Sequence, residues 1–131
     1  MAMQIGNHSV RLEEDVLQLK LRGAFLPDEL RAVLQLAEQL IATKGHYFGL
    51  VDITDLDPVP AETRRIGVEW ARVHRIGGNA CFGGSAATRI LIALAMNSIS
   101  LLTGSAVAVA FFETEQEASA WIAEQRGKLA A

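Results

Sequence analysis

One cysteine, Cys81, stands alone among 131 residues. No disulfide can close within the chain, which suits a reducing compartment. Basic charge is scarce as well: 12 Lys and Arg face 15 Asp and Glu, for a net charge of −3. That sign and size exclude the general nucleic-acid affinity of a basic surface. The opening Met1-Ala2-Met3-Gln4-Ile5-Gly6-Asn7-His8 has neither a basic start nor an apolar run, so no secretory signal is read there and a cytoplasmic location is expected. Internal repeats, low-complexity tracts and linkers are also missing. Only 21% of residues are charged and 50% are apolar, which rules out intrinsic disorder. This length suits one domain, residues 1–131, burying roughly two-thirds of the surface its unfolded chain exposes.

Charge is missing altogether from Ile90 to Phe112, a length that could cross a bilayer. Asn97, Ser98, Ser100, Thr103, Gly104 and Ser105 interrupt it, and its pattern changes midway. Ile90 to Leu102 is rich in Leu and Ala, whereas Ala106 to Phe112 alternates small and β-branched residues. A helix, a Gly-Ser turn and a buried strand explain that change better than one membrane helix.

Val10 to Glu13 and Leu17 to Arg22 alternate apolar and polar residues around an acidic turn, which predicts an antiparallel hairpin with one wet face. Pro27, Asp28 and Glu29 open a first helix, since proline suits the first helical position and acids suit the positive end of the dipole. Leu30, Val33, Leu34, Ala37, Leu40 and Ile41 then recur at helical spacing up to Gly45. Tyr47 to Ile53 reads as a strand covered on both faces. A second helix is expected over 61–75 with Ile66, Trp70 and Val73 turned inward. Ala80-Cys81-Phe82 is a short strand, a third helix runs from Ala86 to Thr103, and a last strand covers 107–112. Thr114 and Glu117 have capping-box spacing ahead of a fourth helix with Ala118, Trp121 and Ile122 inward. The order β-β-α-β-α-β-α-β-α implies an α/β fold: a mixed, mostly parallel sheet with an antiparallel N-terminal edge.

Chemistry-bearing residues are thinly spread. His8, His46 and His74 lie far apart without ligand spacing, so they read as surface residues and no metal is expected. Cys81 between Ala80 and Phe82 reads as a core residue rather than a nucleophile. Gly83-Gly84-Ser85 could cradle an anion at a helix start, but the full phosphate-loop pattern is missing and Ser85 serves as a helix cap. Asp52, Asp55 and Asp57 gather where ligands of open α/β sheets often sit, with turn capping before Pro58 as the plainer role. Arg64, Arg65, Arg72 and Arg75 make the second helix locally basic. They form either a solvated face with internal pairs to Glu69 or a landing surface for an anionic partner.

The third helix stands apart. Arg89 is its only charge, and Arg89, Ala93, Asn97 and Ser100 make a narrow, weakly polar stripe. Ile90, Leu91, Ile92, Leu94, Met96, Ile99, Leu101 and Leu102 surround too much of the axis for one sheet to cover.

Two segments carry a resemblance. Gly45 to Leu56 ends Leu50-Val51-Asp52-Ile53-Thr54-Asp55-Leu56. Phe111 to Ile122 joins a strand ending in phenylalanine to Glu117-Ala118-Ser119-Ala120-Trp121-Ile122 through an acidic link. With the element order, they resemble the SpoIIAA-like branch of the STAS domains, structurally akin to CRAL-TRIO lipid-binding domains. The resemblance implies a SpoIIAA-like fold and a bacterial regulatory module that binds proteins. STAS switches carry a phosphorylated serine after the central strand. Here Pro60-Ala61-Glu62 falls near that place, with Thr63 the only neighbouring hydroxyl. The switch-loop region is therefore Thr54, Asp55, Glu62 and Thr63, without the serine of a kinase-operated switch.

The expectation is a non-catalytic, STAS-type protein-interaction module without cofactor. It would dimerise or dock through Ile90, Leu91, Leu94, Ile99 and Leu102, with Trp70 and Phe82 nearby. The alternative is a carrier of a small apolar or lipid-like ligand, in a pocket lined by Ile90, Leu94, Trp70 and Phe82. An enzyme based on Cys81 or the Asp52–Asp57 loop lacks an accompanying base, metal set or fingerprint.

Overall fold

Alternation in the first two dozen residues yields three antiparallel strands. A computed structural model of the chain describes residues 2–74, 76–103 and 109–130, with side chains for all of these but 95–103 and 130. Strand β2 (His8–Glu13) pairs with β3 (Val16–Gly23) as the hairpin pattern requires. A further strand, β1 (Ala2–Ile5), precedes them and forms the sheet edge, so the element order gains one strand at its start. Met3 and Ile5 pack on the core while Ala2 and Gln4 face water, and Ile5 pairs with His8 across a two-residue turn. Four residues are too short a run for alternation to announce them.

The rest is an α/β winding of alternating helices and parallel strands. Helix α1 (Pro27–Lys44), strand β4 (Phe48–Leu56), helix α2 (Ala61–Ala71), strand β5 (Gly78–Phe82), helix α3 (Ala86–Thr103), strand β6 (Val109–Phe112) and helix α4 (Glu115–Ala130) follow in turn. The sheet order is β1-β2-β3-β4-β5-β6, antiparallel from β1 to β3 and parallel from β3 to β6. The expected Gly104-Ser105 turn and the first residues of the last strand lie outside the described residues. Among the described residues, no helix is long and apolar enough to cross a membrane.

Side-chain alternation sorts the strands onto two layers. Leu17, Leu21, Ile53 and Cys81 join Val33, Ala37 and Leu40 of α1, with Trp70 of α2 and Ile92 of α3 packed on them. The opposite layer is smaller: Phe48, Leu50 and Ala80 meet Ala118 and Ile122 of α4, with Phe82, Phe112 and Trp121 at its margin. Burying each large side chain of these layers contributes roughly 1.5–3 kcal/mol.

The helix ends follow local chemistry. Pro27 opens α1, and the Glu29 carboxylate accepts the Leu26 N–H at 2.9 Å. Gly45 closes it in the left-handed region (φ 85°), donating its N–H to the Ile41 carbonyl at 2.8 Å, which glycine tolerates without a Cβ penalty. At the start of α4, Thr114 Oγ1 accepts the Glu117 N–H at 3.2 Å, as the capping-box spacing requires.

Helix α2 departs from expectation. It ends at Ala71 rather than 75, and Val73, expected on its inner stripe, is 78% exposed. The helix ladder stops at Arg72, so the helical period no longer governs where Val73 points. Thr63 and Ala71 take the buried positions instead, with Ile66 and Trp70 half-buried.

Candidate interaction surface

Helix α3 starts on a side-chain cap. Ser85 Oγ accepts the Thr88 N–H at 3.2 Å and shares a hydrogen bond with the Thr88 hydroxyl. Four residues in comes Arg89, the single charge of the helix. Its guanidinium turns toward the sheet end, where Nε donates to the Gly83 carbonyl at 3.0 Å and Nη2 to the Phe112 carbonyl at 3.3 Å. The side expected to be the polar, outward one is therefore turned inward at Arg89 and Ala93, both half-buried.

What faces water instead is Ala86, Ala87, Ile90 and Leu94, an uncharged stripe at helical spacing. Ile90 is 59% and Leu94 57% exposed. Leu91 is half-buried and Ile92 reaches the core. Of the other α3 residues expected at this surface, the side chains of Ile99 and Leu102 lie outside the described residues.

Trp70 and Phe82 do not join this stripe. Trp70 packs on the α1–α3 side of the sheet, whereas Phe82 lies on the α4 side. The expected pocket lined by Ile90, Leu94, Trp70 and Phe82 is therefore not formed, because the sheet stands between two of its walls. Alternation along β5, with Cys81 on one face and Ala80 and Phe82 on the other, is the physical reason. Phe82 instead borders an open groove of about 400 Å³ beside the start of α4, together with Lys20, Asp52 and Glu115.

The basic stretch of α2 is partly occupied. Arg64 Nε donates to the Val59 carbonyl at 3.2 Å, and Arg65 pairs with Glu69 at 3.4 Å on the exposed side. Arg72 is exposed, and Arg75 lies outside the described residues. In the switch-loop region, Thr54 and Asp55 are exposed at the end of β4 and Glu62 is exposed in the first turn of α2. Thr63 is only 1% exposed, and its hydroxyl donates to the Phe25 carbonyl at 2.9 Å. The one neighbouring hydroxyl is thus committed inside the fold. Asp52 accepts the Thr54 N–H at 3.0 Å, a local bond inside β4 rather than in the loop before Pro58. Cys81 is 4% exposed, and burial pushes its thiol up to about 12.

All three histidines depart from the surface reading. His8 is fully buried, accepting the Arg22 N–H at Nδ1 (3.0 Å) while Nε2 meets Glu29 at 3.0 Å. His46 Nε2 lies 3.0 Å from Asp15, and His74 stacks on Trp70 at 4.0 Å between ring centroids. Sequence separations of 21 and 31 residues hide the His8 and His46 pairs from any local pattern.

Asp15 was legible only as a turn residue. In the fold its carboxylate takes two bonds from Arg126, at 2.5 and 3.1 Å. Hydrogen bonding to Arg126, then to His46, outweighs burial and holds the Asp15 carboxyl below its ordinary value. The same carboxylate raises Arg126. This clamp ties the last turns of α4 to the β2–β3 turn.

One sheet carries α1, α2 and α3 on one face and α4 on the other, an α/β domain whose exposed apolar stripe lies on α3. The chain belongs to the SpoIIAA-like family, whose family model matches residues 16–123. It is similar in structure to an uncharacterized protein from the DUF3478 family with a SpoIIAA-like fold from Shewanella loihica PV-4. That likeness has a TM-score of 0.59 and 19% identity, covers 93% of this chain and 98% of the other, and shows the fold alone. No curated protein matches the sequence.

Proposed function

We propose that this protein is a non-catalytic, STAS-type protein-interaction module that works as a homodimer through the outward stripe of α3. The observation that carries the reading is the inward turn of Arg89, which leaves Ala86, Ala87, Ile90 and Leu94 facing outward without a charge. A second copy of the chain is the occupant this stripe suits. Two uncharged, apolar stripes brought together by a twofold axis ask for no complementary charge and bring no like charges together. Small Ala86 and Ala87 allow close approach, and Ile90 and Leu94 supply the apolar area, at about 25 cal/mol per Å² removed from water. The non-catalytic part of the reading is supported by the shielded Cys81 thiol and by the local hydrogen bonding of Asp52.

Sedimentation velocity at micromolar concentration tests this reading. The expected species has twice the 14.2 kDa chain mass. Ile90→Glu combined with Leu94→Glu should return it to a monomer with an unchanged circular dichroism spectrum. A wild-type chain that sediments as a monomer, or a double variant that still dimerises, overturns the proposal.

A further inference from the structure

Helices α1 and α2 do not fill the space they enclose with the sheet. A cavity of about 150 Å³ remains, walled by Leu30 and Val33 of α1, Trp70 of α2 and Leu19 of β3. No charged side chain lines it. The Trp70 indole N–H is used outside the cavity, donating to Glu38 at 3.0 Å. Gly67 leaves room on the α2 side: a Cβ there would lie 3.7 Å from Leu30 Cδ2, an ordinary contact.

Two polar groups interrupt the apolar wall, the Tyr47 phenol and the Asn79 carboxamide. Neither makes a side-chain hydrogen bond to another described residue. Tyr47 is only 6% exposed, yet no fully shielded side-chain polar atom among the described residues lacks a partner, so its unbonded hydroxyl keeps some accessible surface and is free to meet a ligand. The two sit one strand apart on the same face, since Gly49, two residues beyond Tyr47, pairs with Asn79. Burial also moves the phenol up from its ordinary value near 10, so it stays a neutral donor.

A concave, mostly apolar space with a few polar groups in its wall is the usual form of a small-molecule site. A cavity of about 150 Å³ in another protein admits benzene. We propose that this cavity binds a small neutral molecule built on one ring and carrying one hydroxyl or carbonyl group, the chemical class of phenol. The ring would lie among Leu19, Leu30, Val33 and Trp70, and its oxygen would meet Tyr47 and Asn79. The site is on the α1–α2 side of the sheet, and none of the outward α3 residues lines it.

A titration of the full-length ¹⁵N-labelled chain with phenol, followed by NMR, tests the site, with toluene as the ring lacking the polar group. Phenol should move the Gly49, Gly67, Asn79 and Trp70 indole resonances saturably, with a dissociation constant of about 1 mM or tighter. Toluene should bind about threefold or more weakly, the worth of one net hydrogen bond. Gly67→Leu, which fills the space, should abolish the shifts, and Asn79→Leu should bring phenol down to toluene. Shifts that fail to saturate or that scatter over the surface overturn the proposal, and so does unchanged binding to a folded Gly67→Leu. Equal affinity for phenol and toluene removes the role given to Tyr47 and Asn79. The wild-type titration decides the matter even if a variant fails to fold.

Discussion

Asp15 and Arg126, separated by 111 residues, meet in a two-pronged ion pair at 2.5 and 3.1 Å. The Arg126 guanidinium also lies 5.7 Å over the Phe48 ring. The pair fastens α4, the only helix on its side of the sheet among the described residues, to the β2–β3 turn. Water screens part of it, because the Arg126 side chain is 41% exposed while that of Asp15 is 11% exposed.

Asp15→Ala should therefore lower stability by about 2 kcal/mol, between the worth of a surface pair and that of a charged hydrogen bond. The urea midpoint at pH 7 measures it. The pH dependence has a definite sign. The folded-state value of Asp15 lies below its ordinary 3.8, so its contribution is full above that value and is lost as pH falls through the lowered one. Asp15→Asn should flatten the acid limb of the stability curve. If the two proteins lose stability in parallel below pH 4, the clamp is not what acid releases.

His8 is a second long-range fastening, and it is fully buried. Its ring receives the Arg22 N–H and meets Glu29, whose carboxylate also caps α1 at Leu26. His8→Leu removes both partners and leaves shielded polar groups behind. A loss of about 2–4 kcal/mol is expected, the sum of two unsatisfied groups at the usual cost. Thermal unfolding measures it, and a shift under 1 °C would refute it.

Gly84 adopts φ 79°, and a Cβ there would meet Ile53 Cδ1 at 2.8 Å. Both the backbone region and the close approach oppose a side chain. Gly84→Ala should cost about 2 kcal/mol or more, read from the same urea midpoint. Gly67 is the opposite case, a helical glycine with ordinary space around it. Gly67→Ala should stabilise by about 0.5–1 kcal/mol through helix propensity.

The Cys81 thiol, pushed up to about 12 by burial, carries negligible thiolate at neutral pH. Ellman's reagent should leave the native protein unmodified at pH 7 and react with one equivalent per chain in 6 M guanidinium. Fast reaction in the native state would reopen a chemical role for this residue.

Much of this architecture was readable in advance. The β2–β3 hairpin, the bounds of α1 and α3, the strand through Val51 and the Thr114 cap each rest on neighbours within about one helical turn or on strict alternation. The SpoIIAA-like resemblance carried by the segments 45–56 and 111–122 agrees with the family match over 16–123. Strand β1 leaves no trace in the pattern because four residues give alternation no room. Helical spacing carries the inner stripe of α2 on to Val73 because nothing local marks the ladder's stop at Arg72.

Patterns along the chain settled which segments became helices and strands, since backbone propensity, capping and periodicity act between residues a few places apart. The partners of side chains were settled only by the packed sheet. It put Trp70 and Phe82 on opposite faces, brought His46 and Arg126 to Asp15, and turned Arg89 inward to leave an apolar stripe outside. Those relations depend on distances in space between residues tens of positions apart, and no period of two or 3.6 encodes them.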